Sequence, residues 1–308
     1  MGTGPEHAVG RHGLGPHVVG RRVVVRSRIP GETGPSGGPA VTDVLGDCVA
    51  WEATTMTVRR ESGEEVTIPL SLIVSGKPVP PRPSVRGRVT PSAAQARSHA
   101  MFTDVTTAPL GGWTIRWSDA TPARRVNSVL AMDEPGLADP VGAVVERYGA
   151  LGRPPIAAVL PGSTADALFA EAGWVLHRDE ADAHFQIAGV AACRRNLAEP
   201  PSYGVDLTDL PARPTAQRVE AAIGEDASAI GAYEDDWLGI SAVWVNPERR
   251  RRGLALAVIA RLLGWGAELG ATTTYLQVLS DNEPALTLYA RLGFTPHHTY
   301  RYLTPPTR

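Results

Sequence analysis

The chain has 308 residues, of which 43% are hydrophobic and 20% are charged, a composition that excludes disordered and fibrous proteins and indicates a globular fold. Its formal net charge of −2 excludes a general attraction to nucleic acid or to an anionic membrane. No run approaches the roughly 18 apolar residues of a membrane-spanning helix, and the N-terminus has no apolar signal core, so we expect a cytoplasmic protein without a membrane partner.

The first 97 residues predict a tail, a small barrel and a linker. Residues 1–18 are rich in Gly, Pro and His without periodicity, which is typical of a disordered tail, and such a segment preorganises no metal site. Residues 19–80 contain short β-branched runs such as "RRVVVRSRI" between Gly-containing turns, so we expect four or five strands closed into an SH3-like β-barrel. Residues 81–97 are Pro-rich and predict a semi-rigid linker.

The predicted barrel carries no catalytic constellation. Small barrels of this kind more often bind a peptide, an oligonucleotide or a neighbouring domain than catalyse a reaction. Its arginines are balanced by nearby glutamates, so we expect a peptide or a neighbouring domain rather than nucleic acid as its partner. The two cysteines, Cys48 and Cys193, lie far apart without zinc spacing, and we expect reduced thiols and no metal.

Residues 98–195 and 196–308 predict two similar lobes. In the first, "GGWTIRWSDA" and "ARRVNSVLAM" are typical of paired strands, and Asp139-Pro140 is a helix start. A strand, a helix beginning at Ser163 or Thr164 and another extended piece follow. The same order recurs after residue 218, and "ADALFAEAGW" is similar to "PALTLYARLGF" near the C-terminus. A divergent internal duplication is the simplest interpretation.

The second lobe contains a basic glycine loop that the first lobe lacks. "WLGISAVWV" predicts a strand, and apolar residues at helical spacing from Leu254 to Leu269 predict a helix just after "NPERRRRG". Exposed backbone N–H groups, the helix dipole and Gly253 favour an anion such as pyrophosphate, and the arginines add bidentate donors. The loop matches neither GxxxxGK[ST] nor GxGxxG, the two common glycine-loop motifs for nucleotides.

These motifs resemble those of the GNAT acetyltransferase superfamily. Its acyl-CoA loop, Q/R-x-x-G-x-G/A, is matched at 250–255 and is preceded by V-x-V-x-P at 243–247. The closing phrase of the family is similar to Asn282, Tyr289 and Gly293-Phe294. The resemblance implies an α/β (α+β) fold with a mixed, mostly antiparallel twisted sheet in two GNAT-like lobes, the first degenerate. It further implies a bacterial subgroup in which an SH3-like barrel precedes both lobes.

The resemblance implies an acetyl-CoA-dependent N-acetyltransferase in which a primary amine of a small molecule or protein attacks directly. The strands before and after the long helix would splay around the thioester. Tyr289 would protonate the departing thiolate, for which a phenol with a pKa of about 10 is suited, or would only pack. Asn282 would bind the cofactor arm or only cap its helix. The other implied acetyl-CoA ligands are Val243, Trp244, Val245, Arg250, Arg251, Arg252, Gly253, Leu254, Ala255 and Leu256.

The sequence departs from the family pattern at the general base and at the acceptor wall. Gln277 stands where some members have a glutamate, and the candidates to replace it are a water chain or Glu234, Asp235 and Asp236. The segment before 217 is too short for the early helices of the family, so we expect the first lobe to wall the acceptor pocket, through Trp113, Trp117, Arg124, Arg125, Asn127 and Ser128. A non-catalytic acyl-CoA sensor is the alternative function, and the acceptor and a homodimer stay open.

Overall fold

The computed structural model describes residues 13–34, 37–60, 62–79, 85–197 and 203–306. The chain divides into two compact units, Met1–Pro83 and Ser84–Arg308. Within the described part, no helix is both long and apolar enough to cross a membrane. The same residues contain no group of three or more His, Cys, Asp or Glu side chains that could hold a metal ion.

The first unit is a small antiparallel β-structure. Its strands are β1 Arg22–Thr33, β2 Pro39–Trp51, β3 Thr55–Arg59, β4 Glu65–Pro69 and β5 Ile73–Pro78, in the order β4-β3-β2-β1-β5. Alternate residues point inward, so Val23, Val25, Val44 and Cys48 are buried between half-buried or exposed neighbours. This period of two follows from the pleat of a strand with one face on the core. The predicted small barrel domain is confirmed.

Part of the predicted disordered tail belongs to this barrel. Leu14 and Val18 are fully buried in its core, and Pro16–Val18 form a 3₁₀ turn. A Cβ on Gly76 would lie 2.3 Å from the Leu14 side chain, so the glycine makes room for it. Residues 1–12 lie outside the described residues. The composition concealed these contacts because two apolar side chains among many glycines give no periodic signal.

The end of the predicted linker is a helix of the second unit, α1 Pro91–Arg97. Thr90 Oγ1 accepts a hydrogen bond from Ala93 N at 3.2 Å, and Pro91 occupies the first turn. Proline is compatible with that position because its missing N–H would have no partner there. Ala94 and Gln95 are buried, which ties the helix to the sheet beneath it. Proline content therefore marked a helix start and not only a linker.

The second unit is built on one 12-stranded sheet. Its strands are β6 Thr106–Leu110, β7 Trp113–Trp117, β8 Val129–Ala131, β9 Ala157–Val159, β10 Val175–Leu176, β11 Ala183–Gly189, β12 Asp206–Leu210, β13 Gln217–Ile223, β14 Ala227–Glu234, β15 Trp237–Val245, β16 Thr273–Leu279 and β17 Thr295–Thr304. The order is β12-β13-β14-β15-β16-β11-β17-β9-β8-β7-β6, with β10 beside β17. The β8–β9 and β15–β16 pairs are parallel and the others antiparallel, so the predicted mixed, mostly antiparallel sheet is confirmed.

The helices of the two lobes occur at equivalent places in the strand order. They are α2 Pro140–Ala150 and α3 Thr164–Glu171 in the first lobe, α4 Val190–Asn196 between the lobes, and α5 Leu254–Glu268 and α6 Glu283–Leu292 in the second. In each lobe, a helix connects the two parallel strands and a second helix follows them. The face of α5 that includes Val258 and Leu262 is fully buried against the sheet. This arrangement is the repeated order expected from the sequence.

The last strands of the two lobes are exchanged. Strand β11, which ends the first lobe in sequence, pairs with β16 of the second lobe from Ala183↔Leu279 to Gly189↔Thr273. Strand β17, which ends the second lobe, pairs with β9 of the first lobe, as at Tyr302↔Ala158. The predicted boundary at 195/196 falls inside α4, and no boundary divides the sheet there. Each lobe is therefore completed by a strand of the other.

Candidate functional site

Strands β15 and β16 run side by side only at their beginnings. Their parallel pairing covers Trp237–Gly239 against Thr273–Tyr275 and ends there, although β15 continues to Val245. Ala242 has a φ of 50°, and the register with β14 shifts nearby. An irregular residue of this kind bends its strand away from its neighbour. The edge of Val243–Val245 that faces β16 consequently lies open, as expected for strands that admit a ligand between them.

The glycine loop connects the open end of β15 to α5. Gly253 is the N-cap of α5 with a φ of 82°, and no side chain caps this helix. Arg251 also has a positive φ, 61°. The first N–H groups of an uncapped helix have no partner within the helix, and together with the dipole they attract an anion. The local geometry therefore fits a phosphate group at this helix start.

The arginines of this loop differ in their partners. Arg249 Nε lies 3.5 Å from Asp226 Oδ1. Arg250, Arg251 and Arg252 have exposed side chains and form no ion pair with any described residue. After the loop, Leu254 is buried in the core while Ala255 and Leu256 are half-buried. Three guanidinium groups are therefore free to reach an anion, which fits the predicted set of ligands.

Tyr289 and Asn282 both lie on α6. Tyr289 is 8% exposed and packs edge-on against Phe294, with ring centroids 5.9 Å apart. Its hydroxyl forms no hydrogen bond within the described part of the chain, and burial raises its pKa above the usual range. Asn282 Oδ1 caps α6 by accepting from Ala285 N at 3.3 Å, which leaves its amide Nδ2 as a donor. Tyr289 thus stays protonated at neutral pH with an unused hydroxyl.

A cavity of about 440 Å³ lies beside the divergence of β15 and β16. Those two strands supply Ile240, Ser241, Ala242, Tyr275, Leu276 and Gln277. Segments from outside the second lobe cover them: Ser98, Met101, Phe102 and Thr103 after α1, and Ala120, Thr121 and Arg125 from the first lobe. Arg218 and Ile230 complete the lining. Residues of the predicted first lobe, 98–195, do line this cavity, through the segment after α1, a short loop and one arginine.

Arg125 is the one member of the six predicted wall residues that lines the cavity. Trp113 is buried in the first-lobe core and donates to Asp133 O at 2.7 Å. Asn127 is also buried and holds a loop, accepting from Ser118 N at 3.1 Å. Ser128 is fully buried and accepts from the buried Arg116 at 2.7 Å. The prediction was wrong for these residues because polar side chains beside a turn also serve to hold the turn.

The other two predicted wall residues are also engaged outside the cavity. Arg124 forms an ion pair with Glu180, and its guanidinium lies 4.6 Å from the ring centroid of Tyr302. Trp117 packs against the first-lobe core. The wall residues after α1 were missed altogether. The cap Thr90-Pro91 was the signal that could have found them, because it marks the helix that places them.

The three acidic candidates for a general base lie away from the cavity, in the turn between β14 and β15. Glu234 accepts a hydrogen bond from Thr215, and Asp235 pairs with Arg97. Asp236 Oδ2 accepts from Thr272 Oγ1 at 2.6 Å. No residue of this turn lines the cavity. These carboxylates hold the start of β15, and the prediction of a base among them is wrong for this cavity.

Gln277 is held rigidly at the edge of the cavity. Its Oε1 accepts from the Tyr300 hydroxyl at 2.5 Å, and its Nε2 donates to Gln95 Oε1 at 3.5 Å. The Gln95 side chain reaches His298 Nε2 at 3.1 Å. An amide has no basic lone pair at neutral pH, and its oxygen is already occupied. Gln277 therefore orients groups at the cavity without accepting a proton.

The histidines behind Gln277 form a fixed chain of donors and acceptors. The Val89 carbonyl can only accept, so His297 Nε2 donates to it at 2.8 Å. His297 Nδ1 and His298 Nδ1 lie 2.8 Å apart, within hydrogen-bond distance. Burial, with a further contribution from His297, lowers the pKa of His298 to about 3, which keeps it neutral. The chain continues from His298 Nε2 to the Gln95 side chain and so to Gln277.

Two protein-family models match separate parts of the chain. Residues 212–303 match the family described as "Probable histone acetyltransferase Rv0428c C-terminal". Residues 17–77 match "Rv0428c N-terminal Sm-like domain", which describes the small barrel as Sm-like. An 81-residue stretch is 36% identical to the uncharacterized N-acetyltransferase YobR of Bacillus subtilis (strain 168). That match covers 25% of this chain and 33% of the relative, so the chain spans about a third of that relative's length.

Solved structures resemble about three quarters of the chain. A GCN5-related N-acetyltransferase from Kribbella flavida superimposes with a TM-score of 0.53, covering 73% of this chain and 96% of the other at 16% identity. A functionally unknown conserved protein from Staphylococcus epidermidis ATCC 12228 gives a TM-score of 0.50 over 72% of this chain and 100% of its own, at 11% identity. Such likeness shows the fold alone. The family match covers the lobe with the splayed strands and the glycine loop, and this lobe is similar in sequence to N-acetyltransferases; an N-terminal small barrel precedes it in the chain.

Proposed function

We propose that this protein transfers the acetyl group of acetyl-CoA directly to a primary amine of a small molecule or a protein. One observation carries the proposal: the strand that diverges from its neighbour after Gly239 ends in a loop whose helix start is uncapped. The first feature makes a slot for an extended thioester arm and the second makes a site for its pyrophosphate. Both occur at one end of the same strand, as a single ligand requires.

The proposed acetyl-CoA contacts follow from these two features. The open backbone edge of Val243–Val245 binds the pantetheine amides, and the amides of residues 251–256 bind the pyrophosphate. The exposed Arg250–Arg252 side chains add charge-assisted hydrogen bonds. Asn282 keeps its cap through Oδ1 and donates from Nδ2 to the cofactor arm. No metal takes part in this arrangement.

The proposed reaction forms one bond and breaks one. The amine nitrogen attacks the thioester carbonyl carbon, a C–N bond forms, and the C–S electron pair leaves on sulfur. Tyr289 donates its hydroxyl proton to that thiolate, a role supported by its hydroxyl, which has no hydrogen-bond partner among the described residues. The residues lining the cavity include no carboxylate and no histidine, so the proton of the incoming ammonium passes to water. The second proton that the nitrogen loses as the amide forms returns through water to the Tyr289 oxygen.

The test is calorimetric titration of acetyl-CoA into the purified full chain. We expect micromolar binding that is lost in the Arg250→Glu/Gly253→Asp double variant. The control is Gly136→Asp, which makes the same glycine-to-aspartate change at a glycine with a similar φ, 63°, in the first lobe. Absence of binding to the wild type, or equal loss in the control, would refute the anion site.

The alternative function is an acyl-CoA sensor without catalysis, and the presence of Gln277 where some family members have a glutamate favours it. A turnover assay separates this sensor from the enzyme. Release of CoA in the presence of an amine panel is expected for the enzyme. Binding without any CoA release would establish the sensor. We place the protein in the cytoplasm, where acetyl-CoA is available. We propose that the barrel binds a peptide or a neighbouring domain, and the formation of a homodimer is an open question.

A further inference from the structure

We infer that the acceptor amine carries a carboxylate, and that Arg125 and Arg218 bind this carboxylate inside the cavity. The inference rests on the proposed function and names its substrate class. The cavity lining contains these two arginines and no aspartate or glutamate. A site with only positive charges selects an anionic group, and a guanidinium matches a carboxylate with two parallel hydrogen bonds.

Arg218 is a half-buried cation without a counter-ion. Its Nη1 donates to the Pro211 carbonyl, and its Nε is buried with no hydrogen-bond partner. No described carboxylate pairs with it, and burial lowers its pKa. Leaving such a group unpaired costs free energy, which a bound anion would recover. The open hydrogen-bonding capacity of Arg218 therefore belongs to a ligand.

Arg125 is free in the same sense, and its neighbour in sequence shows the contrast. Arg124 is engaged by Glu180 and by the face of the Tyr302 ring. Arg125, half-buried at the cavity, has no hydrogen bond or ion pair in the described part of the chain. Arg125 comes from the first lobe and Arg218 from the second. A carboxylate between them would be held by both lobes at once.

Further buried positive charge lies near this wall. Arg116 is 1% exposed, and its guanidinium is held by Ser128 without any described carboxylate partner. One nitrogen of Arg116, Nη1, has no hydrogen bond. His99, adjacent in sequence to the lining residue Ser98, has its pKa lowered to about 3 by burial and by Arg116 and Arg213. The surroundings of the cavity therefore add to its positive potential.

Arg218 is too far from the glycine loop to serve the pyrophosphate. Across the sheet, Arg218 is opposite Ala232, which is opposite Gly239. The loop begins after Val245, six residues further along β15, which corresponds to about 20 Å of extended strand. The cavity volume of about 440 Å³ is within the range of small-molecule sites. The two positive regions therefore fit two different anionic groups, one on each substrate.

Paired amines that differ only in the carboxylate test the inference. The full chain is assayed for CoA release with α- and ω-amino acids and with their amides, beside a lysine-rich peptide. We expect kcat/KM to be about 10- to 100-fold higher for the acids, the range for one charge-assisted contact. In Arg125→Gln and Arg218→Gln, KM should rise by a similar factor for the acids and stay constant for the amides. Arg147→Gln, an exposed arginine of the first lobe, is the matched control.

A binding experiment keeps the test decisive when turnover is slow. N-acetylated amino acids and their amides are titrated into CoA-saturated wild type and into both variants. Preference for the acids that is lost in the variants, with acetyl-CoA affinity unchanged, supports the carboxylate site. Equal binding of acids and amides overturns it while leaving the acetyl-CoA site intact. Preference for the lysine-rich peptide would also overturn it and would indicate a protein acceptor. If the wild type does not bind acetyl-CoA, the proposed function itself is refuted.

Discussion

The two lobes repeat one order of strands and helices, yet their parallel strand pairs behave differently. In the first lobe, β8 and β9 stay paired over their full three residues, Val129–Ala131 against Ala157–Val159. In the second, β15 is paired with β16 over its first three residues of nine and then departs from it. The fold is shared, but only the longer strand with the irregular Ala242 opens a slot.

The N-termini of the helices that follow these strands also differ between the two lobes. In the first lobe, Asp139 caps α2 and accepts from Gly142 N at 2.9 Å, so a carboxylate already occupies the position of an anion. In the second, Gly253 leaves the start of α5 uncapped among arginines. One side chain thus decides whether a helix N-terminus is filled by the protein or is available to a ligand.

The helices that end each lobe make the third contrast. Phe169 and Trp174 pack with ring centroids 4.6 Å apart, as Tyr289 and Phe294 do at 5.9 Å. The same backbone hydrogen bond closes both helices, from Trp174 N to Phe169 O and from Phe294 N to Tyr289 O. Phe169 therefore takes the place of Tyr289 in the first lobe and lacks its hydroxyl. The two lobes therefore differ at a few positions on one scaffold.

The largest expected effect concerns the exchanged strand. Phe185 on β11 is fully buried and stacks between Tyr275, at 5.3 Å, and His298, at 5.0 Å. Phe185→Ala should lower the free energy of unfolding by about 3–5 kcal/mol in one cooperative transition. Urea denaturation followed by fluorescence measures this loss, with the exposed Val145→Ala as control. Two separate transitions would show that the lobes are independent.

Tyr289→Phe converts the second lobe to the pattern of the first. We expect kcat to fall by about 100-fold, because the departing thiolate loses its proton donor. Stability should not change, since the hydroxyl has no partner among the described residues. The matched control is Tyr148→Phe, whose hydroxyl donates to Arg116 O at 2.9 Å. That variant should lose about 1 kcal/mol of stability and keep its kcat; the reverse result would make Tyr289 a packing residue.

Acid should destabilise the shared core through His298. The pKa of His298 is lowered from 6.5 to about 3, so between these pH values the unfolded chain binds a proton at His298 and the folded chain does not. The contribution of His298 is therefore present above pH 6.5 and is lost as pH falls toward 3, by about 1.4 kcal/mol per pH unit. Urea denaturation at pH 7, 6 and 5 should show a smaller decline in His298→Asn. Parallel declines in both proteins would mean that other groups control the acid response.

The smallest effect tests whether the first lobe holds a dormant site. Asp139→Ala removes the cap of α2 and should cost about 1 kcal/mol of stability. The number of acetyl-CoA molecules bound per chain should stay unchanged, because β8 and β9 remain paired and open no slot. Calorimetric stoichiometry measures this directly. A second bound acetyl-CoA would show that the cap alone separates the two lobes.

Local signals in the sequence determined the elements and the candidate anion site. Gly253 after four arginines, the cap-and-proline start at Asp139-Pro140 and the repeated closing phrase each lie within a dozen residues. Helix caps, glycine conformations and hydrophobic periodicity act over that range, so they can be read without the fold. The order of strands and helices in both lobes followed from them.

Only the tertiary structure decided which distant residues meet. The exchange of β11 and β17 brings Phe185 beside Gln277 and His298, and the cavity joins Arg125 of one lobe to Arg218 of the other. The sequence predicted neither contact, and of the six residues that it assigned to the wall, Arg125 alone lines the cavity while the others hold turns, ion pairs or the first-lobe core. Strand pairing depends on backbone groups that every residue carries, so the local sequence does not show which distant strands will pair.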